Sequence, residues 1–495
     1  MGAYRHFPIL IIAVPLVTAV LMPALSYRAR RACMPVAAAA LASSTVLTLL
    51  LYRVVKPAAD GYLSYHLGGW EPPWGIEIRV DFTGLFMLTI VCCVSLAALV
   101  YSRRYVEHEL EEGKLFAYYS LFLLLSASML GFTATGDIFN MFVFMEILAL
   151  SSYALVAVTG RRDAVRAAFK YLLMGAPSSI MVLFAIALLY SVTGSLNMAD
   201  LKGIVAQGAY SRVLFASLVF FVMGFGVKAA LFPLHGWLPD AHSIAPSPIS
   251  AMLSGLVVEV AAFAILRVFF SVFGAGASAV SGTAEALGVI AAAGVLYGGV
   301  MAVMQKDFKM MVAYSTISHI GYIILGISIM NEQAVTGALY HLLDHGLAKG
   351  CFFLCAGAVI YRRGYRRIDQ LKGAARQMPW TCAAFSLAAM SVIGIPPTAG
   401  FISKWYLIWG SVAGGRYLYA VVYLTGSILA AVYCLRLIYY MFFVAPPEGS
   451  WEGEGKDAPP SMLIPIWVLS LGTLVMGVFS FVIINRLQEA VGWLL

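Results

Sequence analysis

Charged residues are scarce in this chain of 495 residues. Only 11% of the residues are Asp, Glu, Lys or Arg, whereas 61% are hydrophobic and the mean hydropathy is +0.88. A soluble globular domain carries about 25% charged residues, so this class is excluded. The hydrophobic runs reach about 20 residues, the length that a helix needs to cross the hydrocarbon core. A transmembrane β-barrel is excluded too, because its strands alternate in polarity over about ten residues.

Motifs that hold a redox centre or a nucleotide are also lacking. The chain has seven cysteines: Cys33, Cys92, Cys93, Cys351, Cys355, Cys382 and Cys434. They form no CxxC pair and no cluster-ligand series, and no phosphate-binding loop is present. Cys351 and Cys355 are one helical turn apart and are expected to touch, but the cysteines are interpreted as packing residues. We therefore expect no cofactor and no metal on this chain.

The hydrophobic runs predict an all-α polytopic membrane protein with about fourteen transmembrane helices in a single transmembrane domain, 1–495. The expected spans are 7–25, 33–52, 80–101, 115–134, 137–159, 166–193, 210–230, 247–273, 284–303, 309–329, 333–361, 379–405, 417–444 and 461–484. The first run is followed by SYRARR and no cleavage site, so we interpret it as a helix and not a signal peptide. The polar stretches 53–79 and 445–460, rich in Gly and Pro, are expected to be surface loops.

The distribution of basic residues predicts the orientation. With fourteen spans the loops alternate between two sides, and one side carries eighteen basic residues against eight on the other. Basic loops are retained in the cytoplasm. The chain is therefore expected in the cytoplasmic membrane as a multi-pass protein with both termini outside the cytoplasm. Topology and anionic lipid then explain the net charge of +8, and no nucleic-acid partner is expected.

Ionisable side chains nevertheless lie inside the hydrophobic runs. Glu146 in NMFVFMEILALSSYALVAV, Lys228 in VFFVMGFGVKAALF and Lys349 in HLLDHGLAKGCFFLCAGAVI have apolar residues on both sides. Each charge at the centre of a membrane helix costs about 2.5–3.5 kcal/mol. Such groups are tolerated where they face one another or water, which indicates a path for protons or ions.

The most specific pattern lies in the expected span 333–361. His341, His345 and Lys349 follow at i, i+4 and i+8, which places them on one helix face about 6 Å apart per step. Asp344 lies beside them. Imidazole titrates near neutral pH, so this column can pass a proton along the helix. A lone buried His is usually a hydrogen-bonded core residue, but two His and one Lys in register favour a relay.

Lys228 and Glu146 form the second group of candidates. Opposite charges on neighbouring helices would stabilise one another, and a movement of the Glu would switch the Lys between its charged and neutral forms. A static salt bridge that fixes helix packing is the alternative. Lys404 is a candidate exit group, although it is close enough to a helix end to extend to the membrane surface instead.

The other polar candidates carry weaker signals. Glu259 and His319 lie in apolar runs and could connect Lys228 to the His column, with a packing role as the alternative. Four residues flank spans and are interpreted as helix caps or water contacts: Asp137, His235, Asp240 and His242.

Two hydrophobic segments are interrupted in a similar way, at 224–239 (GFGVKAALFPLHGWLP) and 392–407 (VIGIPPTAGFISKWYL). Each combines Gly, Pro and a single Lys. Proline removes a backbone hydrogen bond, and the freed carbonyl groups require polar or hydrated surroundings. Paired broken helices point to inverted repeats with ion sites at the breaks.

Five runs resemble the proton-translocating antiporter-like family: GDIFNMFVFMEILALSSYAL, GFGVKAALFPLHGWLPDAHSIAPSPISAMLSG, QKDFKMMVAYSTISHIGYIILG, HLLDHGLAKGCFFLCAG and GIPPTAGFISKWYL. The family comprises the large membrane-arm subunits of complex I, the D-type chain of Mrp sodium/proton antiporters and the counterpart in membrane-bound hydrogenases. The similarity covers about residues 80–445, with the motifs in the family's order. Chain length indicates similarity to a D-type or an M/N-type subunit, and the sequence WLPDAHSIAPSPISAMLSG favours the Mrp-like or hydrogenase-associated D type.

The resemblance implies fourteen helices in two inverted five-helix repeats, 115–273 and 284–444, with helices 7 and 12 broken. It assigns Glu146 to the family's helix-five glutamate and Lys228 to its helix-seven lysine. Glu259 departs from the pattern, because many members carry a lysine there, and it reverses the sign of the middle charge.

In the second repeat the resemblance assigns Lys349 to the family's central lysine, with His341 and His345 as the histidines before it. Lys404 matches the helix-twelve ionisable position. The complete predicted relay is Glu146, Lys228, Glu259, His319, His341, His345, Lys349 and Lys404, supported by Asp137, His235, Asp240 and Asp344.

The predicted function is proton translocation, with exchange for Na⁺ as a variant, by one subunit of an Mrp-type, hydrogenase-type or complex I-like assembly. Its partners would be the other membrane subunits, H⁺ or Na⁺, and lipid. Any redox reaction would take place on another chain. A stand-alone secondary transporter and a quinone-handling subunit of a redox enzyme are the alternatives, and the sequence has no quinone-specific feature.

Overall fold

The computed structural model describes residues 4–57, 61–207, 211–276, 278–446 and 457–495. The first helices are α1 (Phe7–Ala29), α2 (Cys33–Leu51), α3 (Phe82–Glu109), α4 (Leu115–Ala134), α5 (Ile138–Ala157), α6 (Arg162–Thr193), α7 (Met198–Val205), α8 (Ser211–Lys228), α9 (Leu238–Ile244) and α10 (Ser247–Met252). They are followed by α11 (Val258–Arg267), α12 (Ser278–Met304), α13 (Phe308–Ile329), α14 (Glu332–Arg363), α15 (Pro379–Ile393), α16 (Ala399–Ala413), α17 (Tyr417–Phe442), α18 (Pro460–Val478) and α19 (Ser480–Leu494).

Twelve helical segments of the described residues are long and apolar enough to cross a membrane, which confirms the helical membrane fold. Two expected spans, 210–230 and 379–405, are outside these twelve. The first corresponds to α8, which ends at Lys228 well before α9 begins, and the second is divided into α15 and α16. The count of fourteen stays a prediction, because it requires both interrupted segments to be counted as crossings.

Both interruptions contain a residue with positive φ followed by proline. Ala230 has a φ of +54° and Gly394 a φ of +93°. Such values lie outside the right-handed helical region, and the prolines that follow cannot donate a backbone N–H. Each helix therefore ends inside the bundle, and the chain continues as a separate helix, as the Gly and Pro residues of the two segments predicted.

The expected surface loop at 53–79 contains a β-hairpin, so the all-α description is incomplete. Strand β1 (Leu63–His66) pairs antiparallel with β2 (Glu77–Val80). The apolar side chains of Ile78 and Val80 are buried against the helices, which favours an extended conformation there. Most of the second expected loop, 445–460, lies outside the described residues.

The C-terminal span is shorter than expected. The sequence predicts a helix over 461–484, but α18 ends at Val478 and α19 follows as a separate helix. Ile484, Leu487 and Val491 of α19 are buried, whereas Phe481 is exposed. This spacing is that of an amphipathic helix. The hydrophobic run continues across the boundary between the two helices, which is why the expected span was too long.

Two backbone bridges join equivalent pairs of loops. Asp137, the cap of α5, pairs with Asn197 beyond α6, and Asp307, the cap of α13, pairs with Arg367 beyond α14. Each Asp side chain accepts a hydrogen bond from the backbone N–H three residues further on. Both α6 and α14 have 32 residues. The second bridge lies 170 residues after the first, from 137 to 307 and from 197 to 367.

The centre of the bundle is formed by α14 and by the stretch Ser247–Phe273, which includes α10 and α11. In each, 94% of the residues of the most apolar stretch are buried, compared with 39% in α6 and in α17. Two turns of the central stretch, Leu253–Val257 and Val268–Phe273, are π-helical. Ionisable residues on these central helices therefore face protein and not lipid.

Candidate functional site

Histidines from two helices meet at the centre of the bundle. His341 and His345 lie on α14 one turn apart, and His319 of α13 contacts both. His319 Nδ1 lies 3.0 Å from His341 Nε2, and the two rings are almost parallel. The ring centroids of His319 and His345 are 5.8 Å apart. The expected column is present, and His319 connects its two imidazoles from a neighbouring helix.

Each end of this group is held by a further helix. His345 Nδ1 lies 2.7 Å from Glu259 Oε1 of α11, and neither side chain has exposed surface. His341 Nδ1 lies 2.9 Å from Ser403 Oγ of α16. Glu259 and His345, and likewise His319, His341 and Ser403, are thus joined by hydrogen bonds, and a ring contact between His345 and His319 brings the two sets together. We name these five residues the histidine group.

Two glycines allow Glu259 to reach His345. Gly255 of the first π-helical turn faces Gly346 of α14, next to His345. A Cβ on Gly346 would lie 3.1 Å from the Gly255 carbonyl oxygen and 3.2 Å from Glu259 Oε2. Small residues permit membrane helices to approach closely. The approach of these two segments therefore depends on the absence of side chains at both positions.

Lys349 lies one turn beyond His345 but makes a separate contact. Its fully buried Nζ donates a hydrogen bond to Ser315 Oγ of α13 at 2.6 Å. His345 Nε2 has no hydrogen-bond partner in the described part of the chain. Proton transfer between these two residues therefore requires a bridging water or a side-chain movement. Ser315 gave no signal in the sequence, because it is one serine among many in apolar helices.

Lys404 is buried at the second helix break and does not extend to the membrane surface. Its exposed fraction is 4%. The Nζ donates to the carbonyl oxygens of Val392 at 2.7 Å and Ile393 at 3.0 Å. These carbonyls belong to the last turn of α15, where helical N–H partners are missing. The interpretation as an interfacial lysine is therefore wrong, and the ammonium caps the break.

Asp344 is buried on α14 and contacts the same break from the other side. It accepts a hydrogen bond from Ser391 Oγ, which in turn accepts one from the backbone N–H of Gly400 at 3.0 Å. Asp344 Oδ2 has no hydrogen-bond partner among the described residues. Asp344 therefore attaches α14 to the broken segment that carries Lys404.

Lys228 and Glu146 form no direct ion pair in the described residues. Lys228 is 1% exposed, and its Nζ donates to the Tyr153 hydroxyl at 2.9 Å. Tyr153 packs edge-on against Tyr171, which stacks on Trp237 with ring centroids 3.9 Å apart. The lysine thus has a neutral phenol as its partner, which the sequence analysis missed. We name Glu146, Lys228 and Tyr153 the lysine group.

Glu146 lies toward the outside of the bundle. Its Oε1 has no hydrogen-bond partner in the part of the chain that the structure describes. Phe139, Val143 and Leu150, which share its face of α5, are 42%, 39% and 61% exposed. A carboxylate at membrane depth requires a polar or ionic partner. Among the described residues, Glu146 Oε1 therefore lacks the partner that its depth demands.

The residues that flank spans have different environments. Asp137 caps α5, as expected, and Asp240 pairs with Lys170 at 2.5 Å on the exposed surface. His235 packs against aromatic rings beside the first break. His242 is fully buried, and both of its ring nitrogens lack partners among the described residues. None of the four contacts the histidine group directly through a hydrogen bond in the described structure.

The cysteines behave as packing residues in the described structure. The Sγ atoms of Cys351 and Cys355 lie 3.8 Å apart, which confirms the expected contact. Within the described ranges, no group of three or more His, Cys, Asp or Glu side chains is arranged to hold a metal ion.

Known proteins are similar in sequence to this chain over most of its length. The profile of the family described as "NADH:quinone oxidoreductase/Mrp antiporter, TM" matches residues 135–430. The N-type chain of the NADH-quinone oxidoreductase of Desulforudis audaxviator is 41% identical over 504 residues, covering 99% of each chain. The D-type chain of the Na(+)/H(+) antiporter of Alkalihalophilus pseudofirmus is 31% identical over 433 residues, covering 87% of this chain and 86% of the relative.

Solved structures share the fold as well. A chain of the Mrp complex from Dietzia sp. DQ12-45-1b has a TM-score of 0.89 at 28% identity, with 100% of this chain and 98% of that chain covered. A chain of the membrane-bound sulfane sulfur reductase, an archaeal respiratory membrane complex, has a TM-score of 0.90 at 30% identity, with 98% and 97% covered. Fold and buried polar residues thus define a polytopic ion-transport subunit. The chain belongs to the NADH:quinone oxidoreductase/Mrp antiporter transmembrane family.

Proposed function

We propose that this chain translocates protons as one subunit of a multi-subunit membrane complex. The observation that carries the proposal is the histidine group, in which hydrogen bonds join Glu259 to His345 and, separately, His319 to His341 and His341 to Ser403 inside the central helices. Between His345 and His319 the rings are in contact without a hydrogen bond, so water or a side-chain movement has to pass the proton there. A neutral imidazole accepts a proton on one nitrogen and donates one from the other. A chain of such rings passes protons without the movement of a heavy ion.

The proposed path has two segments. The lysine group, with Glu146 and Lys228, forms the first, and the histidine group with Lys349 and Lys404 forms the second. No hydrogen bond joins Lys228 to Glu259 in the described residues, so water or a side-chain movement has to connect the segments. Asp137, His235, Asp240 and Asp344 support the path by position and packing.

Partner chains complete the site and supply the energy. The structural relatives come from multi-subunit assemblies, an Mrp complex and a respiratory complex. The unpartnered Glu146 and its exposed neighbours on α5 supply a face for such a partner. Moving one charge against about 100 mV requires about 2.3 kcal/mol. The sequence has no phosphate-binding loop or redox motif, so we propose that no cofactor is held here and that partners or an opposing ion gradient drive transport.

Sodium is the proposed exchanged ion if the assembly is an antiporter. The D-type relatives are named as chains of Na(+)/H(+) antiporters, which supports this variant. The N-type relative is named for an NADH-quinone oxidoreductase, which supports membership of a respiratory complex instead. Proteins that copurify in mild detergent distinguish the two, because the small chains of an antiporter and the redox chains of a respiratory complex have different sequences and masses.

We also propose that 115–273 and 284–444 are two inverted repeats. The two backbone bridges, 170 residues apart, support this division. Three crossings separate Asn197 from Asp307 if the interrupted segment α8–α9 is counted as one, so the bridges lie on opposite sides of the membrane. In each repeat a lysine, Lys228 or Lys404, lies at the helix break.

For the location we propose the cytoplasmic membrane, with both termini outside the cytoplasm. The basic residues, eighteen on one side against eight on the other, support this orientation. Labelling of a cysteine placed at residue 486 by a membrane-impermeant reagent in intact cells tests it. Labelling only after the membrane is opened would contradict the orientation.

The decisive experiment is Lys349→Ala in the assembled complex. Proton movement into vesicles is followed with a pH-sensitive dye, and assembly is checked by native electrophoresis. We expect a loss of about ten-fold or more, because the buried contact with Ser315 and the adjacent imidazole both lose their charged neighbour. Lys306→Ala, an exposed lysine in a loop, is the matched control.

Full transport by a correctly assembled Lys349→Ala complex would refute the relay. Ion exchange by the purified chain alone in liposomes would instead favour a stand-alone transporter over a subunit. Photolabelling of this chain by a quinone analogue would favour the quinone-handling alternative.

A further inference from the structure

A basic cavity lies at one end of the bundle, away from the histidine group. It has a volume of about 450 Å³ and lies beside the first backbone bridge, where the β-hairpin, α3, α7, the second π-helical turn and α19 come together. Its described lining includes four cationic side chains, Lys56, Arg79, Lys202 and Arg267, and one anionic side chain, Asp81. The described lining therefore has an excess of positive charge.

The one carboxylate of the described lining is already paired. Arg267 donates from both terminal nitrogens to the two oxygens of Asp81, with Nη2 at 2.7 Å from Oδ1. Burial by itself raises the pKa of Asp81, but the Arg267 guanidinium outweighs it and holds this pKa at about 2. The pair is therefore neutral as a unit at physiological pH, and it leaves the other cations uncompensated.

Arg79 and Lys202 make no ion pair with a described acidic residue. The Arg79 guanidinium lies 3.8 Å from the centroid of the Tyr62 ring. Lys202 Nζ donates to the Leu494 carbonyl oxygen at 3.3 Å. Burial, and then the like charge of Arg79, lower the pKa of Lys202. Two cations that repel each other across one cavity would be stabilised by an anion between them.

Much of the remaining wall is apolar and lies at the level where helices begin and end. Phe82 is the first residue of α3 and Met198 the first of α7, and both are buried. Trp493, near the end of α19, lines the cavity and is 60% exposed. Tryptophan is enriched at the level of lipid headgroups. The cavity thus combines cations and an apolar wall at headgroup depth.

We propose that this cavity is a binding site for a phosphoryl group, with Arg79 and Lys202 as its charged ligands. Arginine presents a planar set of donors that matches phosphate oxygens, and lysine adds a mobile point charge. Two sources have this chemistry, the headgroup of an anionic phospholipid and inorganic phosphate. The apolar wall of Phe82, Met198 and Trp493 favours the lipid, whose chains would cover it.

The occupied site joins elements that are distant in sequence. Arg79 belongs to the β-hairpin, Lys202 to α7, and the Leu494 carbonyl that Lys202 holds belongs to α19. An anion between the two cations removes their mutual repulsion and so stabilises the contact of all three elements. The proposed role of the bound group is therefore structural, and it is separate from the proposed proton path.

The test uses the full chain with its copurifying subunits, delipidated in mild detergent. Short-chain phosphatidylglycerol, phosphatidylcholine and inorganic phosphate are titrated separately, and the midpoint of thermal unfolding is read from tryptophan fluorescence. The variant Arg79→Gln/Lys202→Gln removes both ligands. Arg53→Gln, an exposed arginine near the same end and outside the lining, is the control.

We expect phosphatidylglycerol to raise the midpoint of the unaltered protein and of Arg53→Gln, and to bind the double variant about ten-fold or more weakly. The same behaviour with inorganic phosphate alone would identify free phosphate as the source. Equal binding by the double variant, or no binding of either anion to the unaltered protein, overturns the site. An acidic side chain of a partner subunit found in the cavity of the assembled complex also overturns it.

A single variant covers the case in which the double variant fails to assemble. Lys202→Met keeps most of the length of the side chain on α7 and removes only its charge. It is judged by the same titration, with weaker anion binding expected and unchanged binding as the contrary result.

Discussion

The histidine group and the lysine group both place ionisable side chains inside the bundle, but they differ in the partners that these side chains contact. In the histidine group, hydrogen bonds of 2.7–3.0 Å connect Glu259 to His345 and His319 to His341. In the lysine group, Lys228 has one neutral partner and Glu146 has an oxygen with none in the described residues. The first group connects side chains of four helices, although Glu259 Oε2 and His345 Nε2 also lack partners among the described residues, whereas the second has its carboxylate near the outside of the bundle.

The difference follows from position in the bundle. The histidine group is centred on α14 and the stretch Ser247–Phe273, in each of which 94% of the residues of the most apolar stretch are buried, so its side chains are surrounded by protein. The lysine group lies between α5 and α8 near the edge, where the corresponding share for α5 is 50%. A buried group at an edge faces either lipid or another subunit. Because a charged carboxylate that faces lipid is costly, another subunit is expected next to Glu146.

The largest effect is expected from breaking the histidine group at its carboxylate. Glu259→Gln replaces the acceptor of His345 by a neutral amide, and we expect proton transport by the complex to fall about ten-fold or more. In a double-mutant cycle with His345→Gln, the two losses should be non-additive by about 1–3 kcal/mol, because the residues are in direct contact. Initial rates of dye quenching in vesicles measure both.

Glu332→Gln, at the start of α14, the helix that carries His345, and outside the group, controls for a general effect of charge removal. Strictly additive losses for Glu259 and His345 would show that the two side chains act independently. The comparison between the groups would then lose its basis.

A smaller effect is expected from displacing the lysine group without removing any of its members. A Cβ on Gly175 of α6 would lie 1.8 Å from the Tyr153 hydroxyl and 3.1 Å from Lys228 Nζ. Gly175→Ala therefore has to push the phenol away from the ammonium. We expect transport to fall about five-fold, the equivalent of one lost hydrogen bond, while α6 itself is favoured by alanine.

Gly282→Ala in α12 is the matched control, because a Cβ there meets no atom within 4 Å. Both variants are measured for transport and for assembly on native gels. Unchanged transport by Gly175→Ala would mean that the contact between Lys228 and Tyr153 is not used, and the lysine group would have to work through Glu146 alone.

The smallest effect is expected at an exposed pair that neither group needs. Arg367 contacts Asp369 at 3.0 Å, with 59% and 51% of the two side chains exposed. The hydrogen bond from Arg367 lowers the pKa of Asp369 below its usual value. Because this pKa is lowered on folding, the pair stabilises above about pH 4 and its contribution is lost as the pH falls further.

Asp369→Asn should consequently change the unfolding midpoint by less than about 1 °C at pH 7 and by still less at pH 3, since exposed pairs contribute little. Asp307→Ala, which removes the cap of α13 next to the same bridge, should cost about 1 kcal/mol and is the comparison variant. A larger shift for Asp369→Asn than for Asp307→Ala would contradict this order.

Periodicity made one part of the site predictable from the sequence. His341, His345 and Lys349 share a face of α14 because residues four apart are neighbours on a helix, and no tertiary information is required. The partner residues could not be predicted in this way. His319, Ser315 and Ser403 come from other helices, and their positions depend on how the helices pack.

Electrostatic reasoning predicted an ion pair in the lysine group, and the structure shows a different contact. Burial of Lys228 implied a partner, and Glu146 of another apolar run was the expected opposite charge. The structure provides the Tyr153 hydroxyl instead, because a neutral acceptor on the neighbouring helix satisfies the ammonium without a second buried charge. For Lys404 the backbone itself is the partner, which becomes available only where a helix is interrupted.

The contact of Glu259 with the rest of the histidine group depends on the π-helical turn Leu253–Val257. A wide turn of this kind accommodates one supernumerary residue, and each residue advances an ordinary helix by about 100°. Glu259 follows directly after this turn, so its direction depends on that insertion. Deleting one residue from the turn would swing the carboxylate about a quarter of a revolution away from the imidazole. A single step in registry therefore separates a carboxylate that contacts His345 from one that is turned away from it.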